Sequence, residues 1–146
     1  MKQSDAEIAN HLTNELSRLI KLLRSKAKNK NSLSLTERST LGLVYANAEI
    51  LPSELATTEK VTAQSMSQIL NRLFKLGFIK RNPSKTDKRK VFITITATGK
   101  KEIEKNKQEK REWLAQAISE KLSSKEKRTL IDAVAVLNSL TETKRN

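Results

Sequence analysis

Outside three polar runs, Arg24 to Ser34, Asn82 to Lys90 and Lys100 to Glu112, apolar residues recur mostly three or four positions apart, and from Val91 to Thr96 the pattern switches to alternation. A chain written this way folds into amphipathic helices carrying one small β-ribbon. Ile8, Leu12, Leu16, Leu19, Ile20 and Leu23 make one stripe of a first helix that starts near Asp5. The Lys, Asn and Ser run from Arg24 to Ser34 reads as a helix end dissolving into a solvated loop. Ser34 followed by Glu37 has capping-box spacing and opens a second helix through Leu41, Val44 and Tyr45. Pro52 suits the first turn of a third helix of about two turns, running through Leu55 and Ala56. After a break at Lys60 and Val61, Thr62 can cap a fourth helix whose inward residues are Met66, Ile69, Leu70, Leu73 and Leu76. Gly77 ends it.

Phe78 to Arg81, a basic turn from Asn82 to Lys90, and the alternating run to Thr96 predict a hairpin. Thr96 or Thr98 can then cap a long helix starting near Gly99, and a capping box at Ser123 and Glu126 opens the last one, striped by Leu130, Ala133, Val134, Leu137 and Leu140. The expected fold class is mainly α, formally α+β. It comprises a winged helix-turn-helix lobe over residues 34–97 with a β-hairpin wing, and N- and C-terminal helices, 5–28 and 98–143, forming a dimerisation lobe. The whole of residues 1–146 is one unit.

Composition narrows the partners. Hydrophobic residues are 36% of 146 and aromatics 3%, a thin core for a protomer standing alone, which association of long helices would correct. Lys and Arg number 29 against 16 Asp and Glu, and the resulting +13 points to a polyanion. Without cysteine there is no disulfide, thiolate zinc site or thiol switch, and one histidine leaves little for a metal or a catalytic triad. No catalytic residue, cofactor or metal is expected. No stretch approaches the ~20 apolar residues of a membrane span, and the polar amino terminus lacks a secretory core, so a cytoplasmic location is expected.

The order helix, tight turn, helix, basic hairpin is what a reader of double-stranded DNA requires, with one helix in the major groove and a ribbon straddling the backbone. The outward face of the fourth helix carries Gln64, Ser65, Ser67, Gln68, Asn71, Arg72 and Lys75, groups suited to base edges and phosphates. Base reading is assigned to Gln64, Ser65, Ser67 and Gln68, and phosphate contact to Thr62, Asn71, Arg72 and Lys75. Lys85, Lys88, Arg89 and Lys90 cluster at the hairpin tip, within reach of a minor groove. Asp87 among them is expected to bond the turn or to orient Arg89. The plainer alternatives are a solvated helix face and a solvated lysine-rich turn.

Leu55-Ala56, the run SQILNRLFKLGFIKR from Ser67 to Arg81, then Thr86-Asp87-Lys88-Arg89, and ITATGK from Ile95 to Lys100 closely resemble the multiple-antibiotic-resistance regulator (MarR) family. The likeness spans about Leu35 to Glu104. It implies a dimeric transcriptional regulator, commonly a repressor, whose terminal helices interlock and whose two wings approach one DNA face with Arg89 in the minor groove. It also implies release of DNA by a small aromatic or anionic effector. His11, Tyr45 and Trp113 are the scarce residue types on helices that would meet such a ligand, although packing is the commoner role for residues so placed. Gln68 stands after Ser67 where the family often has arginine, so the operator preferred is expected to differ. Lys60 occupies a turn position where many such units place Gly, so a turn without strong left-handed character is expected. Non-specific architectural binding of nucleic acid is the alternative function, and a protein-interaction module without a DNA role is a third.

Overall fold

A computed structural model describes residues 2–28 and 31–142. In chain order it contains α1 (Asp5–Lys26), α2 (Leu35–Ala46), α3 (Pro52–Glu59), α4 (Ala63–Lys75), β1 (Ile79–Pro83), β2 (Val91–Ile95), α5 (Ala97–Lys121) and α6 (Ser124–Thr141). The mainly helical architecture with a two-stranded wing is the expected one. Two compact units divide it, residues 27–109 in one, and α1 with the chain from Lys110 onward in the other. Residue 143, the expected end of the helical lobe, lies outside the described residues.

Within residues 27–109 the local signals are realised one by one. Ser34 and Glu37 close a reciprocal capping box on α2, Pro52 occupies the first turn of α3, and the Thr62 hydroxyl accepts the Ser65 N–H to start α4. Gly77 adopts φ 76°, and the Phe78 N–H returns to the Leu73 carbonyl at 3.1 Å, closing the helix stop. Thr96 caps α5 by accepting the Gly99 N–H at 3.0 Å while donating to the Gly77 carbonyl at 2.5 Å. The strands pair antiparallel, Ile79 opposite Ile95 and Arg81 opposite Ile93. The core is built by Leu41, Val44, Leu55, Met66, Leu70, Leu73, Phe78, Ile79 and Ile93, so α4 is anchored by its apolar stripe and its other face is left outward.

Four features go beyond the sequence reading or correct it. The turn between α3 and α4 is left-handed after all: Lys60 sits at φ 55°, ψ 44°. Its N–H bonds the Thr57 carbonyl and the Val61 N–H returns to Ala56 at 3.0 Å, a closure that needs a left-handed residue. For an L side chain that conformation costs roughly 1–2 kcal/mol, offset here by packing of half-buried Val61 on the core. Second, Ile50 forms an isolated bridge with Ile93, exchanging N–H···O bonds of 3.2 and 2.8 Å, and so adds a single pairing to β2 beside the hairpin. Third, the expected solvated run from Arg24 to Ser34 is not wholly solvated, since Ala27 and Leu33 are buried. Fourth, Gly99 is buried, and a Cβ there would overlap the Phe78 carbonyl oxygen and lie 2.8 Å from Ile95 Cγ1.

The other unit is different in kind. Neither α1 nor α6 buries a single residue within the chain. Ile131 is 68% exposed and Leu140 72%, and the α1 stripe of Ile8, Leu16, Leu19 and Ile20 is exposed as well. Ser123 and Glu126 form the expected capping box on α6. Among the described residues, no helix is long and apolar enough to cross a membrane.

Candidate nucleic-acid interface

The burial of Met66, Leu70 and Leu73 turns the opposite face of α4 to solvent, and Gln64, Ser65, Ser67, Gln68, Asn71 and Lys75 are all exposed on it. Gln64, Ser67, Gln68, Asn71 and Lys75 follow one another at helical spacing, a stripe about 16 Å long at 1.5 Å per residue. No acidic residue occurs in α4. A helix face with amides, hydroxyls and a terminal lysine but no carboxylate presents donors and acceptors without repelling phosphate. At its start, the Thr62 hydroxyl is engaged in the cap and donates to Ser65 Oγ at 3.0 Å.

Arg72 has partners within the chain that its sequence assignment did not include. It lies on α4, but its guanidinium donates to the main-chain carbonyls of Asn31 (2.7 Å) and Ser32 (3.3 Å), and its Nε meets Glu37 Oε2 at 3.1 Å. Glu37 in turn accepts the Ser34 N–H. The arginine therefore clamps the segment ahead of α2 onto α4.

In the wing, Ser84 Oγ accepts the N–H groups of Thr86 and Asp87 at 3.3 and 3.2 Å, and the Lys90 N–H returns to the Asp87 carbonyl at 3.0 Å. These bonds make a tight, self-supported turn. Asp87 Oδ1 accepts both the Arg89 N–H at 3.0 Å and its Nε–H at 3.3 Å. The carboxylate thus bonds the turn and orients Arg89, whose side chain remains 91% exposed. The Arg89 backbone N–H, then its side chain, and then the charge of Lys90 hold the Asp87 carboxyl below the ordinary aspartate range. Lys85, Lys88 and Lys90 are exposed around it.

One cation was missing from the sequence assignment. Arg81, on β1, lays its guanidinium 4.0 Å from the centre of the Phe74 ring. It borders a cleft of about 150 Å³ between α4 and the hairpin, lined also by Ser67, Asn71 and Val91. Its signal in the sequence was register: with Ile79 facing the core, period two puts Arg81 on the same face.

The three ligand candidates have separate surroundings. His11 is exposed and its partner is Gln3, at 3.5 Å. Trp113 lies under Lys26 Nζ, 5.2 Å from the ring centre. Both belong to the terminal unit, whereas Tyr45 belongs to residues 27–109, where its hydroxyl lies 3.5 Å from Glu104 and Lys107 covers its ring at 4.8 Å.

The family model described as transcriptional regulator SarA/Rot matches residues 21–106, more than half of the chain. An uncharacterized HTH-type transcriptional regulator from Mycobacterium leprae is 28% identical over 118 residues, 81% of this chain and 82% of that protein. A transcriptional regulator from Thermotoga maritima superposes with a TM-score of 0.81 at 19% identity, over 90% of this chain and 94% of that one. A MepR variant from S. aureus, bound to an oligodeoxyribonucleotide, superposes with a TM-score of 0.67 at 18% identity, over 97% and 100% of the two chains. At these identities the structural likenesses establish a common fold.

Proposed function

The chain belongs to the SarA/Rot family of transcriptional regulators, and on that premise we propose that it is a homodimeric, sequence-specific repressor that binds a palindromic operator in double-stranded DNA. The observation that carries the reading is the acid-free, exposed polar stripe of α4 standing beside a wing arginine already oriented by Asp87. Gln64, Ser65, Ser67 and Gln68 read base edges in the major groove, and glutamine is suited to bidentate bonding with adenine. Thr62, Asn71 and Lys75 lie along the phosphates, Arg89 enters the minor groove, and Lys85, Lys88 and Lys90 neutralise the flanking backbone. Arg72 serves the interface as a clamp on α4.

Residues 34–97 form the reading lobe, and 5–28 with 98–143 the dimerisation lobe. The exposed apolar residues of α1 and α6 support that assignment, because solvent exposure of so many large side chains on one unit is what an assembling surface displays. Two recognition helices related by a dyad would address half-sites about 34 Å apart, one helical turn. Family and fold are those of regulators, so the chain is not an enzyme.

Selection of bound duplexes from a random pool at moderate salt tests the proposal. A palindromic consensus is the expected result. Equal affinity for all sequences would replace it with non-specific architectural binding driven by the +13 charge. Release by a small aromatic or anionic effector, with His11, Tyr45 or Trp113 involved, is the finest part of the reading. Adding such acids to the same assay tests it, with loss of the bound fraction as the expected outcome.

A further inference from the structure

Arg81 breaks a rule of the hairpin. Side chains two apart on a strand share a face, so Arg81 follows buried Ile79 on the side that meets the core, and it stands opposite buried Ile93. An apolar residue is the ordinary occupant of such a place. Here the core has run out, and the guanidinium instead lies flat on Phe74 of α4, 4.0 Å from the ring centre. No salt bridge among the described residues engages it. Stacking occupies only the face of the guanidinium. Its edge, with the N–H donors, is left for a partner outside the chain.

The position of that edge selects the partner. Arg81, Ser67 and Asn71 border one cleft, between the recognition stripe of α4 and the hairpin that carries Arg89. When a helix occupies the major groove and a wing the adjacent minor groove, the sugar–phosphate strand dividing those grooves must pass between the two elements. We propose that Arg81, pre-ordered by Phe74, binds a phosphate of that dividing strand. This rests on the DNA-binding reading above and adds a site to it. A stacked side chain has already lost much of the freedom that an exposed lysine would surrender on binding, so the contact is stronger than charge alone implies.

The experiment is a salt titration of operator binding by the full-length protein, with wild type, Arg81→Gln and Arg81→Lys, on the selected duplex and on a scrambled one. Each phosphate neutralised contributes about 0.9 to the slope of log K against log salt. Arg81→Gln is expected to lower the slope by about one and to weaken both duplexes alike, by roughly three- to tenfold. Arg81→Lys retains the charge and is expected to retain the slope. An unchanged slope in Arg81→Gln, or a loss confined to particular base pairs, overturns the assignment. So does an equal slope loss in Arg81→Lys, which would report altered structure and not charge. Wild type that discriminates between the duplexes while Arg81→Gln keeps its slope refutes only this site. Wild type that does not discriminate refutes the operator reading itself.

Discussion

Replacing Gly99 by alanine sets two effects of opposite sign against each other, and the structure decides between them. Position 99 lies in the first turn of α5, where alanine is intrinsically favoured over glycine by up to about 1 kcal/mol. On propensity alone the variant would be more stable. The added Cβ, however, would overlap the Phe78 carbonyl oxygen and approach Ile95 Cγ1 to 2.8 Å, and the first of these obstacles is backbone. That carbonyl also accepts the Thr96 N–H at 3.0 Å, so backing α5 away loosens the bond joining helix to hairpin. Overpacking of this kind costs about 1–3 kcal/mol, and a weakened hydrogen bond about 0.5–1.5 kcal/mol. After subtracting the propensity gain, a net destabilisation of about 1–3 kcal/mol is expected. Urea unfolding followed by circular dichroism measures it, with a fall in midpoint at unchanged slope. Gly42→Ala is the matched control, since nothing lies within 4 Å of its Cβ in the middle of α2, and it should gain about 0.5–1 kcal/mol. Stabilisation by both substitutions would refute the claim that the root of the wing is closed against any side chain.

Other expectations follow from single residues. Gln68→Ala should relax preference at one or two base pairs by about 1–3 kcal/mol if its contact is bidentate, whereas Arg89→Ala should weaken all duplexes; equal losses on every sequence for Gln68→Ala would remove its base-reading role. Thr40 is fully buried and its hydroxyl has no partner among the described residues, so Thr40→Val should stabilise by about 1 kcal/mol or more in the same unfolding assay; destabilisation would mean the hydroxyl is satisfied. Because the folded-state pKa of Asp87 is depressed, its contribution to the turn is complete above the ordinary value of 3.8 and is lost only as pH falls through a lower midpoint. Carboxyl carbon NMR should therefore give a midpoint below 3.8, and one at or above it would deny the Arg89 bonds. Charging the exposed α6 face with Ile131→Glu and Val134→Glu should shift sedimentation from dimer to monomer; a dimer that persists places the contact elsewhere.

What could be read from residues alone was whatever is settled within a few positions. Thr62 with Ser65, Ser34 with Glu37, and Asp87 with Arg89 are three or two apart, and each pair does in the fold what its spacing announced. The amphipathic stripe of α4 was equally legible, because Met66, Leu70 and Leu73 identify its inner face and thereby its outer one. Arg72 escaped because its partners Asn31 and Ser32 are 41 and 40 residues away, and periodicity carries no information about a loop that folds back. Lys60 escaped for another reason: composition argues that a left-handed turn prefers glycine, but closure of Val61 onto Ala56 dictates the backbone whichever residue is present. Arg81 looked like one more basic residue until the register with Ile93 put it over an aromatic ring.

The absence of any buried residue in α1 and α6 has a consequence for the supply of the protein. If those helices order only against a second copy, folding is bimolecular, and each tenfold dilution removes about 1.4 kcal/mol from apparent stability. Newly made chains below that threshold concentration would be half-formed substrates for proteolysis, while chains above it would protect one another. Operator occupancy would then respond to synthesis rate more sharply than mass action on DNA alone predicts, giving a promoter under its control a threshold in place of a graded response.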